Sequence, residues 1–230
     1  MKNPSELRIQ LTAGAATTAL AYPASARLLG ATLLLGHGAG AGQRSAFMID
    51  FARALSALGL DVVTFNFLYI EQGRRIPDRG SALEACYRAA IDAVRSTVPS
   101  ARRFLFIGGK SMGGRIATQV AAADSSLPIK GLVLLGYPLH PPGRPDQRRD
   151  KHLREIGRPM LIIQGSRDAF GLPAELTPLV ASLQPAPSLD VVANGDHSFK
   201  LLRKDPAAQA AVYAHTQRRI AAWIASTIQL

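Results

Sequence analysis

Short, continuous apolar runs alternate with longer amphipathic stretches along most of this chain. Each run is about five to seven residues long and gives way to a segment with helical periodicity. A run that is apolar on both faces is typical of a strand in a parallel sheet whose connections are helices. The pattern predicts an α/β fold, with a mostly parallel sheet and helices on both of its faces. The predicted strands lie in ATLLLGHG, LDVVTFNF, RRFLFIGG, KGLVLLGYPL, PMLIIQGSRD and LDVVANGDH.

The two ends of the chain extend this scheme. Residues 11–26, LTAGAATTALAYPASA, resemble the apolar part of a signal peptide. The nearby charges of Glu6 and Arg8 and the internal threonines favour instead two short strands joined by a glycine turn. DPAAQAAVYAHTQRRIAAWIAS, residues 205–226, predicts a closing helix. No linker or repeat divides the 230 residues, which predicts a single domain over residues 1–230. No run approaches the roughly 18 apolar residues of a membrane span, so we expect a cytoplasmic protein.

The chain is strongly basic, with 27 Lys and Arg against 16 Asp and Glu, a formal charge of +11. Such a charge can favour anionic partners, but the basic residues occur in scattered pairs and form no nucleic-acid recognition signature. The pattern therefore favours a solvated basic surface over a nucleic-acid interface. A single cysteine, Cys86, lies within a predicted helix and is interpreted as a small buried residue. One cysteine cannot form an internal disulfide, which suits a reducing compartment.

The segment GGKSMGG joins a predicted strand to an alanine-rich helical stretch. Within it, Gly109-Lys110-Ser111-Met112-Gly113 matches the pattern G-x-S-x-G. A serine on such a sharp turn is exposed above the sheet, and glycines two residues to either side avoid collisions with the strand and the helix. The alternative is a glycine turn in which Ser111 only caps the helix. The strand-turn-helix context favours Ser111 as a nucleophile.

A serine hydroxyl needs a base to accept its proton and a third group to orient that base. The expected order in this architecture is serine, acid and histidine, each at the carboxyl end of a strand. Asp168 ends the next-to-last predicted strand and His197 follows the last one, which makes them the candidates. Most competing carboxylates and histidines lie at a strand beginning, in a charged segment or in a helix. They are Asp146, Asp150, Asp190, His152 and His215. Asp196 adjoins His197 but would point elsewhere if His197 points inward, and His140 follows a strand nearer the rim, where it could contact substrate.

A glycine-rich loop, His37-Gly38-Ala39-Gly40, follows the first predicted parallel strand. Backbone N–H groups in such a loop can stabilise a developing oxyanion, together with the N–H of the residue after the nucleophile. We expect the donors to be the main-chain N–H groups of Ala39 and Met112, with Gly38 as the alternative to Ala39. His37 is expected to orient this loop.

Four motifs, LLLGHGAG, GGKSMGG, GSRDAFG and GDHSF, occur in this order across nearly the whole chain. With them the chain resembles the α/β-hydrolase superfamily, and within it the small dienelactone-hydrolase-like enzymes of the branch related to testis-expressed protein 30. The resemblance implies an eight-stranded sheet and a catalytic triad of Ser111, Asp168 and His197. Dienelactone hydrolases use cysteine where this chain has Ser111, so their substrate does not transfer. The short basic segment after Tyr137 predicts that no large lid is present.

The predicted function is that of a serine hydrolase, a carboxylesterase or thioesterase that acts on small soluble acyl substrates without a cofactor or metal. The alternative is a catalytically silent protein of the same fold that binds or scaffolds partners, acidic ones included. An anionic group on the substrate is also considered, because Arg74, Arg75 and Arg79 lie in a loop near this edge. The pocket candidates are Phe67, Leu68, Tyr69, Tyr137, His140, Phe170 and Phe199. The sequence leaves the substrate, the choice among ester, thioester and amide, and the oligomeric state open.

Overall fold

The structure, a computed structural model, describes residues 3–11, 14–25 and 28–229. The strands are β1 (Ser5–Gln10), β2 (Ala16–Tyr22), β3 (Thr32–Gly36), β4 (Asp61–Phe65), β5 (Leu105–Lys110), β6 (Gly131–Leu135), β7 (Met160–Gly165) and β8 (Ser188–Val192). The α-helices are α1 (Ala46–Ala57), α2 (Leu68–Glu71), α3 (Gly80–Thr97), α4 (Pro99–Arg103), α5 (Met112–Ala122), α6 (Pro173–Ser182) and α7 (Pro206–Thr227). A short 3-10 helix covers Lys151–Glu155.

The described residues form one eight-stranded sheet in the order β1-β2-β4-β3-β5-β6-β7-β8. The strands from β4 through β3 to β8 are mutually parallel, whereas β1 and β2 add antiparallel pairs at one edge. Every residue of β3, β5, β6 and β7 is buried, which explains why these strands read as continuous apolar runs. The predicted α/β fold with a mostly parallel eight-stranded sheet is confirmed.

Helices cover both faces of the sheet, and alternate residues of a strand point to opposite faces. On one face, Leu33 and Leu35 of β3 pack in a cluster with residues of α1 and α7. On the other face, Leu34 packs in a second cluster with residues of α3, α5 and α6. Successive side chains of a strand point to opposite sides, so both cores come from the same strands. The carboxyl ends of the parallel strands are left free at one edge.

Three helices lie where the sequence analysis predicted none. The shorter two, α2 and α4, have four and five residues, too few for a periodic pattern. The third, α6, contains Pro178 within it, and proline usually argues against a helix interior. Of the two strands predicted within residues 11–26, only β2 lies there; β1 precedes this segment and pairs with β2 in the antiparallel sense. Two residues of the predicted glycine turn, 12 and 13, lie outside the described residues. No helix among the described residues is long and apolar enough to span a membrane.

The docking of α5 onto β3 depends on the absence of a side chain at Gly113. A Cβ on Gly113 would lie 2.1 Å from the carbonyl oxygen of Gly36, a backbone atom that cannot rotate away. The helix axis is therefore set by direct contact between two backbones. Any side chain at this position would have to push α5 off the sheet.

We predict that Gly113→Ala lowers the free energy of unfolding by at least about 3 kcal/mol, because the clash involves backbone on both sides. The matched control is Gly157→Ala, since a Cβ at Gly157 would meet no atom within 4 Å. We expect that control to change stability by less than about 0.5 kcal/mol. Urea denaturation of both variants measures the difference, and equal stabilities would contradict the argument.

Candidate active site

Ser111 lies on a strained turn between β5 and α5. Its backbone has φ 51° and ψ −113°, a conformation that costs a residue with a side chain about 1–3 kcal/mol. The Ser111 N–H donates to Leu135 O at 2.9 Å, and the Ser111 carbonyl accepts from Arg115 N at 3.0 Å, so the turn is held from both sides. The Ser111 side chain makes no capping hydrogen bond to α5. Its hydroxyl is therefore available for other contacts.

A continuous chain of hydrogen bonds joins Ser111, His197 and Asp168. Ser111 Oγ lies 2.8 Å from His197 Nε2, and His197 Nδ1 lies 2.7 Å from Asp168 Oδ2. The Asp168 carboxylate can only accept, so Nδ1 carries the ring proton and Nε2 accepts from the Ser111 hydroxyl. Ser111 follows β5, Asp168 follows β7 and His197 follows β8. The structure thus brings together the three residues selected from the sequence.

Gln164, at the end of β7, holds Asp168 in place. Its side-chain amide donates to Asp168 Oδ2 at 2.8 Å and to Gly171 O at 2.9 Å, while its Oε1 accepts from Tyr137 N at 2.8 Å. The Phe170 N–H donates to the other Asp168 oxygen at 2.9 Å. Asp168 and Gln164 are both fully buried, so these bonds replace the lost hydration of the carboxylate. Gln164 was not among the residues predicted from the sequence, although a polar residue within the apolar run PMLIIQG was a usable signal.

The loop after β3 is fixed by a neutral histidine. His37 is fully buried, and burial lowers its pKa to about 4. Its Nε2 accepts from Phe67 N at 3.1 Å, so the ring proton is on Nδ1, which donates to Gly38 O at 2.8 Å. The loop-orienting role predicted for His37 agrees with these contacts.

Fixing the Gly38 carbonyl also fixes the Ala39 N–H, because the two belong to one peptide unit and point in opposite directions across a trans bond. The Gly38 oxygen accepts a second bond, from Ala41 N at 3.2 Å. A Cβ on Gly38 would lie 3.7 Å from the Ser111 Cβ, so the loop passes directly beside the serine. Gly38, Ala39 and Met112 all line the cavity that contains Ser111.

Lys110 is a buried cation beside the hydrogen-bonded pair of Asp168 and His197. Burial lowers its pKa to about 8, against the opposing effect of the Asp168 and Asp196 carboxylates. A Cβ placed on Gly136 would lie 3.2 Å from Lys110 Nζ and 3.3 Å from His197 Nδ1. The two nitrogens therefore lie near each other beside Gly136. The Nζ also lies 5.9 Å from the centre of the Phe47 ring. Lys110 occupies an unspecified position of the serine motif, and no role was predicted for it from the sequence.

Ser111 and His197 open into a cavity of about 660 Å³. Phe170 lines this cavity and stacks on the His197 ring, with 4.2 Å between ring centres. Other cavity residues come from the loop after β3, from the start of α1, from α3 and the segment before it, from α5, and from the segments after β6 and β8. They include Ser45, Phe47, Met48, Pro77, Asp78, Leu83, Arg115, Pro138, Arg149 and Ser198.

Six of the seven predicted pocket residues do not line the cavity, and Phe170 is the exception. Phe67 and Phe199 are fully buried in the two cores. Leu68 lines a separate groove between α3 and the first strand. The prediction was wrong for these residues because their strand-end positions indicate the correct edge of the sheet but not the direction of each side chain.

The other three misassigned residues support neighbouring backbone. Tyr69 is buried and its hydroxyl accepts from Gly40 N at 3.1 Å. The Tyr137 hydroxyl donates to Arg149 O at 2.7 Å. His140 is buried against Glu175, 3.1 Å from its carboxylate. They act on the loops around the cavity and do not reach into it.

Three of the competing titratable residues are engaged elsewhere. Asp190 is bound by Arg219 at 2.7 Å, and His152 contacts the Thr118 hydroxyl at 2.8 Å. Asp196 accepts the N–H groups of the turn after it. Cys86 is buried, and burial raises the pKa of its thiol to about 12, as suits a small packing residue. Within the ranges that the structure describes, no group of three or more His, Cys, Asp or Glu could hold a metal ion.

The sequence of this chain matches a family model described as an alpha/beta hydrolase domain over residues 30–225. The chain belongs to the α/β-hydrolase family. The serine turn between β5 and α5 has the strand-turn-helix context expected of an α/β-hydrolase. The finer assignment to the branch related to testis-expressed protein 30 stays a prediction.

Solved structures share this α/β-hydrolase fold. A serine hydrolase described as lacking a lid, from Xanthomonas campestris, is 23% identical over 96% of each chain, with a TM-score of 0.72. A serine hydrolase homologue from Coxiella burnetii is 17% identical over 96% of this chain and 98% of its own, with a TM-score of 0.74. A dienelactone hydrolase from Anabaena variabilis is 21% identical over 94% and 97%, with a TM-score of 0.71. At these identities the likeness establishes the fold alone.

We predict that Lys110→Met stabilises this α/β-hydrolase at pH 7 by about 2–3 kcal/mol, because it removes a buried charge. The destabilisation from Lys110 is fully present below its folded pKa of about 8 and is relieved as pH rises towards 10.5, where the unfolded lysine also loses its proton. The advantage of the variant should therefore vanish near pH 10.5. Urea denaturation at pH 7 and pH 10 measures it, with the exposed Lys151→Met as control. A difference that does not change with pH would contradict the argument.

Proposed function

We propose that this chain is a serine hydrolase that cleaves carboxylic esters or thioesters of small soluble acyl substrates. The observation that carries the proposal is the unbroken hydrogen-bond chain from buried Asp168 through His197 to the Ser111 hydroxyl. This series of hydrogen bonds ends at Ser111 in an open cavity that a small acyl group can enter. A serine is activated as a nucleophile when a correctly oriented base can take its proton.

In the proposed reaction, His197 Nε2 takes the proton of Ser111 while Oγ attacks the substrate carbonyl carbon. The resulting imidazolium donates that proton to the leaving alcohol or thiol as the bond to it breaks, and an acyl-enzyme forms on Ser111. Water then enters, gives a proton to His197 and attacks the acyl carbon. The imidazolium returns that proton to Ser111 Oγ as the bond between Oγ and the acyl carbon breaks, which releases the acid and restores Ser111 and neutral His197. Asp168 keeps the ring in the required tautomer and stabilises its positive charge.

The oxyanion that forms in each half of the reaction needs donors aimed at it before the reaction starts. We assign the main-chain N–H groups of Ala39 and Met112 to this role, and Gly38 is the alternative to Ala39. Ala39 belongs to the peptide unit that His37 fixes, and Met112 begins α5 directly after Ser111. The amino end of α5 adds a favourable dipole for negative charge.

The first test is covalent labelling with a fluorophosphonate, whose fluoride is displaced when Ser111 Oγ bonds to phosphorus. We expect one adduct on the wild type, located on Ser111 by peptide mapping, and none on Ser111→Ala. His197→Ala should label at least about 10³-fold more slowly, because the serine loses its base. Intact-mass spectrometry over time measures all three.

The matched control is Ser45→Ala, since Ser45 lines the same cavity and its side chain makes no capping bond to α1. This variant should label like the wild type. A folded wild type that forms no adduct would refute the proposed function and leave a binding or scaffolding protein of the same fold.

A second prediction concerns Gln164 as the residue that positions Asp168. Gln164→Leu keeps the approximate volume but removes one N–H from the carboxylate and leaves the Tyr137 N–H without its acceptor. We expect the free energy of unfolding to fall by about 2–3 kcal/mol and kcat for 4-nitrophenyl acetate to fall about tenfold. Gln147→Leu, in an exposed loop, is the control. A loss of stability with kcat intact would mean that Gln164 only supports the fold.

A further inference from the structure

Two arginines line the cavity together with Ser111 and His197: Arg115 and Arg149. Arg115 lies on α5, one helical turn after the serine, and its N–H is bonded to the Ser111 carbonyl. Arg149 lies in the segment between β6 and β7. Its N–H donates to Leu139 O at 2.8 Å and its carbonyl accepts from the Tyr137 hydroxyl at 2.7 Å. Both side chains therefore start from anchored backbone.

Neither guanidinium is neutralised by the part of the protein that the structure describes. No carboxylate lies within ion-pair distance of Arg115 or Arg149 there. Arg115 Nη1 donates to Gln119 at 3.1 Å, but its Nε is buried with no hydrogen-bond partner. A buried guanidinium N–H without an acceptor is costly, so the hydrogen-bonding capacity of Arg115 is not fully used within the described part of the protein.

The two arginines also act on one another. Burial lowers the pKa of Arg115, and the positive charge of Arg149 lowers it further. Glu84 opposes this effect, but it forms no ion pair with Arg115. Two like charges that face one cavity are stabilised when an anion binds between them.

The rest of the cavity wall does not cancel this charge. Asp78 is its one carboxylate among the described residues, and Arg74 binds that carboxylate at 2.5 Å. Lys110, a buried residue, adds a third cation to the wall. The wall therefore combines three cations with one carboxylate that is already paired.

This placement differs from the one considered on the sequence, which turned to Arg74, Arg75 and Arg79. Arg74 is bound to Gln72 and Asp78, and all three side chains belong to exposed residues outside the cavity wall. The arginines that face Ser111 come instead from α5 and from the β6–β7 segment.

We propose that Arg115 and Arg149 form a subsite for a carboxylate on the substrate, so that the preferred esters carry a free carboxylate near the scissile bond. The inference rests on the proposed function, because it names the class of ester that Ser111 would cleave. Guanidinium groups bind carboxylates through paired N–H donors, which gives both affinity and orientation. Half-esters of dicarboxylic acids, and esters whose alcohol carries a carboxylate, belong to this class.

The test compares two pairs of esters, in each of which one member carries a free carboxylate and the other carries its uncharged methyl ester. The acyl-side pair is mono-4-nitrophenyl adipate and its methyl ester, and the alcohol-side pair is 4-acetoxybenzoate and its methyl ester. We expect the wild type to have the higher kcat/KM for the charged member of at least one pair. In Arg115→Gln and Arg149→Gln, kcat/KM for that member should fall about tenfold to a hundredfold, and for its neutral partner by less than about twofold.

Two further variants test whether the preference for charged esters depends on the cavity arginines and on their guanidinium groups. Arg144→Gln removes the same charge from an exposed position of the β6–β7 segment outside the cavity wall and should preserve the preference. Arg115→Lys keeps the charge without the paired donors and should give an intermediate loss; it also replaces Arg115→Gln if that variant does not fold. If the neutral esters are cleaved as well as the charged ones, or if the preference survives both arginine variants, the inference is wrong and the proposed function stands.

If no ester is cleaved by the folded wild type, the proposed function fails, and the subsite is then decided by binding. Ser111→Ala is titrated calorimetrically with monomethyl adipate and with dimethyl adipate. Saturable binding of the monoanion that is lost in Ser111→Ala/Arg149→Gln would support the subsite. Absence of saturable binding, or equal binding of the uncharged diester, would overturn it.

Discussion

The contact between the serine turn and the Gly36 backbone is the constraint on which the rest of the site depends. A Cβ on Gly109 would lie 2.3 Å from Gly36 O, and a Cβ on Gly113 would lie 2.1 Å from the same atom. Both flanks of Ser111 are thus pressed against β3, which leaves the chain no room except the sharp turn that raises the serine above the sheet. The strain at Ser111 is maintained because the packing of α5 and the pairing of β5 with β3 both require this approach.

The electrostatics of the site follow from burial at the ends of the parallel strands. Asp168 can remain a buried carboxylate because Gln164, His197 and the Phe170 N–H supply its hydrogen bonds. Lys110 places a positive charge nearby at a cost in stability. The arginines at the cavity wall add charge that the described carboxylates do not neutralise. The site is therefore organised around negative charge, first that of Asp168 and then, under our proposal, that of the substrate.

The sequence predicted most of the fold and the three central residues, but little of what surrounds them. Buried strands show as apolar runs, and the ends of parallel strands meet at one edge, so Ser111, Asp168 and His197 could be selected from their positions alone. The direction of a side chain in a loop depends on local backbone angles that no periodicity records, which is why Phe67, Tyr69 and Tyr137 were misplaced. The roles of Lys110, Gln164 and Arg115 depend on neighbours distant in the sequence, and only the folded chain brings these together.

The two bonds made by His37 have a consequence for the timing of charge stabilisation. Both ring nitrogens are occupied by backbone groups and the ring is neutral at ordinary pH, so the Gly38–Ala39 peptide dipole points in one direction whether or not substrate is present. In water, dipoles must turn to meet a new negative charge, and that reorientation is a large part of the barrier. Here the protein has completed the reorientation during folding. The free energy of folding, and not that of substrate binding, maintains the dipole in the orientation that the proposed reaction needs.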